Sequence, residues 1–224
     1  MKLRDSLKII AIAMLIESII GAFRQPYMDN FDSLYESFGQ VATIVKFYYM
    51  DVSVWLQLLL YLLFSWHIVW MGSRIPSSNF SSYFVLDAIV AIANAIVITM
   101  SYDYAVYGFF LKIIAEAAGI VTCFCAGWAL YKDLHIKPVQ TICLSYWVLS
   151  LRHLLYCMVL AITGFVYGLD GLSSDALRNH TTIMIAWGLV VPLLLVSRVM
   201  LFVGVKNLKI NADLKEKQQE LKVV

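Results

Sequence analysis

Charged side chains are scarce in this chain. They make up 14% of its 224 residues, against roughly 25% in a typical soluble domain. By contrast, 61% of the residues are hydrophobic and the mean hydropathy is +0.77. The sequence therefore leaves no room for a sizeable water-soluble domain. The formal net charge is only +2 and the basic residues form no single patch, so we expect no nucleic-acid partner.

Sequence motifs for catalysis and metal binding are also missing. The chain has no HExxH, no GxSxG and no CxxC, the patterns that position zinc ligands, a nucleophilic serine or a redox pair. Its four cysteines lie in apolar segments, where cysteine acts as a small apolar residue: Cys123, Cys125, Cys143 and Cys157. We therefore predict no cofactor, no bound metal and no catalytic residue. An intramembrane enzyme or a haem carrier is the least supported function.

Long apolar runs dominate what is present. Six of them are long enough to cross a bilayer as helices: Lys8–Phe23, Asp51–Gly72, Tyr83–Tyr102, Ala105–Tyr131, Val139–Tyr167 and Thr182–Val205. The sequence thus predicts an all-α fold, a polytopic transmembrane bundle of six spans. The first run follows basic residues as a signal peptide does, but Glu17 interrupts it and no convincing A-x-A cleavage site follows. We therefore expect a retained span.

The charges of the linkers alternate in sign along the chain. Basic residues occupy both termini and alternate linkers: Lys2, Arg4 and Lys8; Arg74; Lys132 and Lys137; Lys206, Lys209, Lys215, Lys217 and Lys222. The intervening linkers are acidic or neutral overall, with Asp29, Asp32 and Glu36, then Asp103, then Asp170 and Asp175. Because basic linkers stay in the cytoplasm, both termini are predicted to be cytoplasmic. Residues 1–205 would form the transmembrane domain and residues 206–224 a charged tail.

Two segments outside the spans carry further expectations. Phe38–Met50 places aromatic residues beside Lys46, which fits either an outer interfacial helix or an extension of the second span. Asp213–Lys222 alternates in charge and is expected to prolong the last helix into the cytoplasm as a solvated helix. The compact linkers favour a bacterial inner (plasma) membrane.

Polar residues inside the spans are the candidates for function, because an ionisable group in hydrocarbon is costly unless it is paired, hydrated or protonated. We single out nine as a polar pathway or as intramembrane ion pairs: Glu17, Asp87, Asn94, Lys112, Glu116, Arg152, His153, Tyr156 and Arg198. Three of them are acids and three are lysine or arginine, so mutual neutralisation is expected. At about 1.5 Å per residue, depth favours Glu116 or Glu17 as the partner of Arg152. Arg152 and His153 are adjacent and are expected to face different surroundings.

Two functions fit these residues. The first is an oligomeric channel or transporter in which the charged residues line a route for an ion or small polar solute. The second is a membrane anchor or sensor subunit whose ion pairs are purely structural. In both cases the lipid bilayer is a partner, and for the channel or transporter a homo-oligomer is expected. The lysine-rich tail could bind a cytosolic protein or anionic lipid.

Overall fold

The computed structural model describes residues 3–73, 79–100, 105–134, 137–167 and 180–208, and these ranges are helical almost throughout. We number the α-helices in chain order: α1 Leu3–Ala22, α2 Arg24–Asp29, α3 Phe31–Phe38, α4 Gln40–Phe47, α5 Ser53–Gly72, α6 Phe80–Met100, α7 Ala105–Asp133, α8 Lys137–Tyr167 and α9 His180–Asn207. A single π-helical turn, Tyr48–Val52, joins α4 to α5. No strand occurs among the described residues.

Six helices are long and apolar enough to cross a membrane, namely α1, α5, α6, α7, α8 and α9. The most apolar stretch of each is only 22–39% buried within the protein, so most of its surface points outward. Large apolar side chains such as Trp66 and Ile162 are exposed on these surfaces. Such surfaces would aggregate in water but match the lipid chains of a bilayer. Among the described residues the six predicted apolar helices are confirmed, and their length and composition indicate an integral, multi-pass membrane protein.

The six long helices pack as a closed ring. Each packs against the next long helix along the chain, and α9 returns to pack against α1. Successive helices therefore run in opposite directions. One end of the ring, which we name the core end, is formed by the starts of α1, α6 and α8 and the ends of α5, α7 and α9. The opposite end, where α7 starts and α8 ends, we name the distal end.

Apolar packing is concentrated towards the core end. The largest fully buried side chains come from all six helices and belong to that half: Leu7, Phe64, Ile68, Phe80, Phe84, Leu130, Leu134, Val139, Ile142, Leu201 and Val205. A hydrogen bond at this end also joins α7 to α6. The carboxylate of Asp133, at the end of α7, accepts it at 2.8 Å from the backbone N–H of Asn79, the residue before α6. A second, much smaller apolar cluster joins Phe109 and Leu160 towards the distal end.

The segment before α5 continues into the second span. Gln40–Gly72 is one apolar helical stretch, so Gln40–Met50 is continuous with that span, while Phe38 ends α3. The π-helical turn holds an extra residue relative to an α-turn. It lets two consecutive tyrosines reach α1: Tyr48 donates to the Glu17 carboxylate, and the Tyr49 hydroxyl donates to the Ile20 carbonyl at 3.2 Å.

The cytoplasmic tail remains a prediction. Residues 209–224, including Asp213–Lys222, lie outside the described residues. The orientation of the ring also remains a prediction, in which the charge pattern of the linkers places the core end on the cytoplasmic side.

We expect Gly39→Ala to loosen the α3–α4 connection. Gly39 has a φ of 53°, a conformation that destabilises a residue with a side chain by about 1–3 kcal/mol. A Cβ at this position would meet no atom within 4 Å. The penalty is therefore one of backbone conformation alone. Hydrogen exchange of the amides in Phe31–Phe47 should accelerate by about tenfold, as 1.4 kcal/mol predicts. Gly188→Ala, equally open but at ordinary helical φ, is the control, and equal exchange in both variants would contradict the assignment.

Candidate functional site

Three carboxylates are buried inside the ring: Glu17 with 3%, Asp87 with 2% and Glu116 with 3% of their surface exposed. A carboxylate in such an environment needs hydrogen-bond donors, because desolvation disfavours the charge by several kcal/mol. Each of the three finds its donors on a neighbouring helical element. These contacts, together with the cations beside them, define the candidate site.

Asp87 on α6 joins three helices. It accepts hydrogen bonds from Tyr61 on α5 and from the Thr122 hydroxyl on α7 at 2.7 Å. The Cys123 thiol donates a longer hydrogen bond at 3.4 Å. All of these donors are neutral, so Asp87 is stabilised without an ion pair and also fixes the packing of α5, α6 and α7.

Glu17 on α1 lies beside the π-helical turn. It accepts from Tyr48 and from the Ser53 hydroxyl at 2.8 Å, and the Gln57 amide donates in turn to Ser53 at 3.3 Å. A small cleft between α1, α5 and α9 opens here, lined by Met14, Glu17, Ser18, Gln57, Leu60 and Arg198. Its volume is sufficient for about one water molecule.

Glu116 on α7 pairs with His153 on α8. The His153 Nδ1 lies 2.5 Å from the Glu116 Oε2, so the imidazole donates to the carboxylate. Gly119 makes this approach possible, since a Cβ at that position would lie 3.0 Å from the His153 ring. The Ser150 hydroxyl donates to the Ile120 carbonyl at 2.8 Å and binds the same two helices together. Because residue 119 is glycine, this face of α7 can pack directly against His153 of α8.

Two cations flank the Glu116–His153 pair. Arg152 places Nη1 3.4 Å from the His153 Nδ1, and its buried Nε has no hydrogen-bond partner. The Lys112 ammonium lies 5.1 Å from the centre of the Tyr156 ring, a cation–π distance. Both cations interact electrostatically with Glu116, yet neither lies within 4.0 Å of a carboxylate of the described residues.

The remaining predicted residues have weaker or separate contacts. Asn94 on α6 donates to the Ala115 carbonyl on α7 at 3.4 Å, and its buried Oδ1 is unpartnered. Arg198 on α9 lies over the Tyr61 ring, 5.8 Å from its centre, and its buried Nε is also unpartnered. The structure therefore brings Lys112, Glu116, Arg152, His153 and Tyr156 together. It places Glu17, Asp87 and Asn94 at other helix contacts.

The two sequence expectations about Arg152 have different outcomes. Depth favoured Glu116 or Glu17 as its partner, and Arg152 does interact electrostatically with Glu116, but the direct acid–base contact within 4.0 Å among the described residues is that of Glu116 with His153. Arg152 and His153 were also expected to face different surroundings, but their side chains touch. The long arginine side chain can bend towards its neighbour, whereas the His153 ring is held directly against Gly119.

Sequence reasoning missed the neutral donors. Tyr48, Ser53, Tyr61 and Thr122 hold the carboxylates, but none of them carries a charge that depth or charge balance could flag. The sequence nevertheless contains a pattern that could have indicated two of these donors. Tyr61 and Thr122 are hydroxyl residues inside apolar runs, where a hydroxyl needs a partner.

The arrangement suits binding and proton exchange better than metal chemistry. A carboxylate hydrogen-bonded to an imidazole can hold or pass on a proton, and cations beside it can attract an anion. Within the part of the chain that the structure describes, no three His, Cys, Asp or Glu side chains converge as metal ligands do. Comparisons with protein-family models, curated proteins and solved structures found no match to this chain. The functional argument therefore depends on the site itself.

We expect Asp87→Ala to destabilise the bundle by about 2–4 kcal/mol, because it removes a carboxylate that accepts from two buried hydroxyls and leaves them unpaired. The measurement is the unfolding free energy in mixed detergent–SDS micelles. Asp51→Ala removes the same group from an exposed position and should change that free energy by less than about 0.5 kcal/mol. Equal effects of the two substitutions would contradict the role given to Asp87.

Gly119→Ala should displace the His153 ring, since the new methyl group would lie 3.0 Å from it. Overpacking of this kind costs about 1–3 kcal/mol. Nitrogen-15 NMR of histidine-labelled protein, which has four histidines, would show the change at the His153 Nδ1 as its hydrogen bond to Glu116 lengthens. Gly188→Ala should leave that signal in place. An unchanged His153 signal in Gly119→Ala would refute the packing argument.

Proposed function

We propose that this protein is a channel or transporter for an ion or small polar solute, and that its intramembrane charged residues form the route. The observation that carries the proposal is the cluster at the α7–α8 contact. Glu116 pairs there with His153, while Arg152 retains a buried donor without a partner. Ionisable groups inside a membrane protein mark a solute or proton pathway by default. Unsatisfied donors beside them add a reason for a ligand to enter.

The distribution of polar and apolar residues supports gated passage. On α7, Lys112 and Glu116 lie towards the distal end and are followed by the buried Cys123, Ala126 and Leu130. On α8 the same order holds in reverse, since the core residues precede Arg152. The apolar core would therefore block a solute that entered from the distal end. A second conformation, in which the core end opens, would be needed to complete transport.

Assembly and location complete the proposal. A ring of six helices with a closed apolar half is small for a pore, so we infer that the protein works as a homo-oligomer. The compact linkers favour a bacterial inner membrane. The core end, which carries the basic linkers, would face the cytoplasm.

A membrane anchor or sensor subunit is the second candidate, and a specific observation favours it. Glu17 and Asp87 are both held by neutral donors from neighbouring helical elements, an arrangement that fixes helix packing without requiring a solute. In that case the lysine-rich residues 206–224 would contact a cytosolic partner or anionic lipid. This candidate predicts no flux and a partner that depends on the tail.

Flux through purified protein in liposomes separates the two. Vesicles loaded with a pH-sensitive or potassium-sensitive dye should show protein-dependent flux, and Glu116→Gln should reduce it to the level of empty vesicles because the carboxylate that holds the charge is gone. Glu36→Gln makes the same chemical change at an exposed position on α3 and should leave flux intact.

Two outcomes would contradict the transport proposal. Glu116→Gln with full flux but a lowered unfolding free energy would make the Glu116–His153 pair purely structural. Absence of flux in the wild type, together with capture of a partner by residues 206–224, would establish the anchor or sensor function instead.

A further inference from the structure

The charges around Glu116 do not balance. Lys112 and Arg152 both act on Glu116, and the neighbouring His153 donates to the same carboxylate. Two basic side chains therefore accompany one carboxylate, which leaves an excess of positive charge. An excess charge within the membrane costs several kcal/mol unless a counter-ion accompanies it. Glu17 and Asp87 form no direct ion pair with these cations, since neither lies within 4.0 Å of a lysine or arginine of the described residues.

The hydrogen-bond inventory points to the same deficit. An arginine carries five N–H donors in a planar fork and no acceptor. Arg152 contacts the His153 ring through Nη1. The buried Nε of Arg152 has no hydrogen-bond partner. A buried donor without an acceptor is destabilising, because its hydrogen bond to water is lost and not replaced. The ammonium group of Lys112 faces the Tyr156 ring, which supplies electron density but no acceptor atom of the strength of a carboxylate.

These groups lie on the facing surfaces of α7 and α8. Lys112 and Glu116 are one turn apart on α7, Arg152 and Tyr156 are one turn apart on α8, and residues at that spacing share a helix face. The Lys112–Tyr156 and Glu116–His153 contacts connect the two faces. Both cations are half-buried, so their donors are neither sealed inside the protein nor fully in water. Partial burial of this kind strengthens an interaction with a bound anion.

We propose that Lys112 and Arg152 bind an oxyanion, namely the carboxylate or phosphate group of a small solute, beside the Glu116–His153 pair. The planar fork of Arg152 matches two oxygens of such a group, and Lys112 adds a second positive charge. The inference deepens the proposed function and rests on it for the step of transport, whereas binding can be tested alone. Transport of this solute would require the anion to pass from the cations through the core end.

Binding is tested on the full-length wild-type protein in a neutral maltoside detergent. Succinate and inorganic phosphate are the probes, at constant ionic strength set with chloride, and succinamide is the uncharged analogue of succinate. We expect succinate or phosphate to raise the midpoint of thermal unfolding in a saturable manner, while succinamide leaves it unchanged. Equal shifts with succinate and succinamide, or no saturable shift with either anion, would overturn the proposal without the use of any variant.

Substitutions then locate the site. Arg152→Gln should weaken binding by about tenfold or more, since hydrogen bonds to a charged group contribute about 1.5–3 kcal/mol. Arg152→Lys keeps the charge but loses the fork and should give an intermediate affinity. Lys112→Gln should weaken binding several-fold. The matched control is Lys137→Gln, which removes an exposed lysine at the core end of α8 and should bind like the wild type. Folded Arg152→Gln protein with wild-type affinity would overturn the assignment.

The source of the oxyanion and the fate of the solute are separated by two further measurements. Phosphatidylglycerol added to the micelles tests an anionic lipid headgroup; stabilisation by this lipid, with none by succinate or phosphate, would overturn the small-solute assignment. Vesicle flux of radiolabelled succinate and phosphate tests transport. Saturable binding without flux would uphold the anion site and refute transport. Ion flux without anion binding would uphold transport and refute the anion site.

Discussion

The cost of burying a carboxylate in an apolar bundle governs this structure. Each buried carboxylate must have donors, and a single helix in an apolar run does not provide them, so they come from a neighbouring helical element. Glu17 thereby joins α1 to the start of α5, Asp87 joins α5, α6 and α7, and Glu116 joins α7 to α8. Five of the six long helices are linked in this way. The sixth, α9, is held by the Ser197 hydroxyl, which donates to the Ser145 carbonyl of α8 at 3.0 Å.

Sequence was sufficient for the fold because the fold depends on hydropathy. Six apolar runs become six helices whose bounds differ by a few residues from the predicted ones, except that Asp51–Gly72 begins earlier, at Gln40. The partners of the charges depend instead on how neighbouring helices rotate and cross, which apolar runs do not encode. Tyr48, which donates to Glu17, is the first residue of a π-helical turn that no sequence motif predicts. His153 rather than Arg152 contacts Glu116 directly because Gly119 has no Cβ to keep the imidazole ring away. The depth of a residue along its helix does not predict such a packing effect.

The ring is asymmetric along its axis. Its core end is filled by large aromatic and branched side chains, and Asp133 is bonded to the backbone at the start of α6. The polar cluster of Glu116 and its cations lies beyond this core. In a purely structural bundle, polar groups could lie at any depth where two helices meet. The Glu116 cluster thus lies on the distal side of the apolar core, whereas Asp87 is hydrogen-bonded to Tyr61 and Cys123 within that core.

The way in which the charges are satisfied favours a ligand over structural ion pairing. With three acids and three lysine or arginine residues inside the spans, direct pairing would neutralise every charge within the protein. The structure instead provides Glu17 and Asp87 with hydroxyl donors, and Glu116 with an imidazole. Arg152 and Arg198 each keep a buried Nε without a partner, and their charges repel each other. The absence of a direct ion pair for Lys112, Arg152 and Arg198 among the described residues is what supports the proposed binding of an anion.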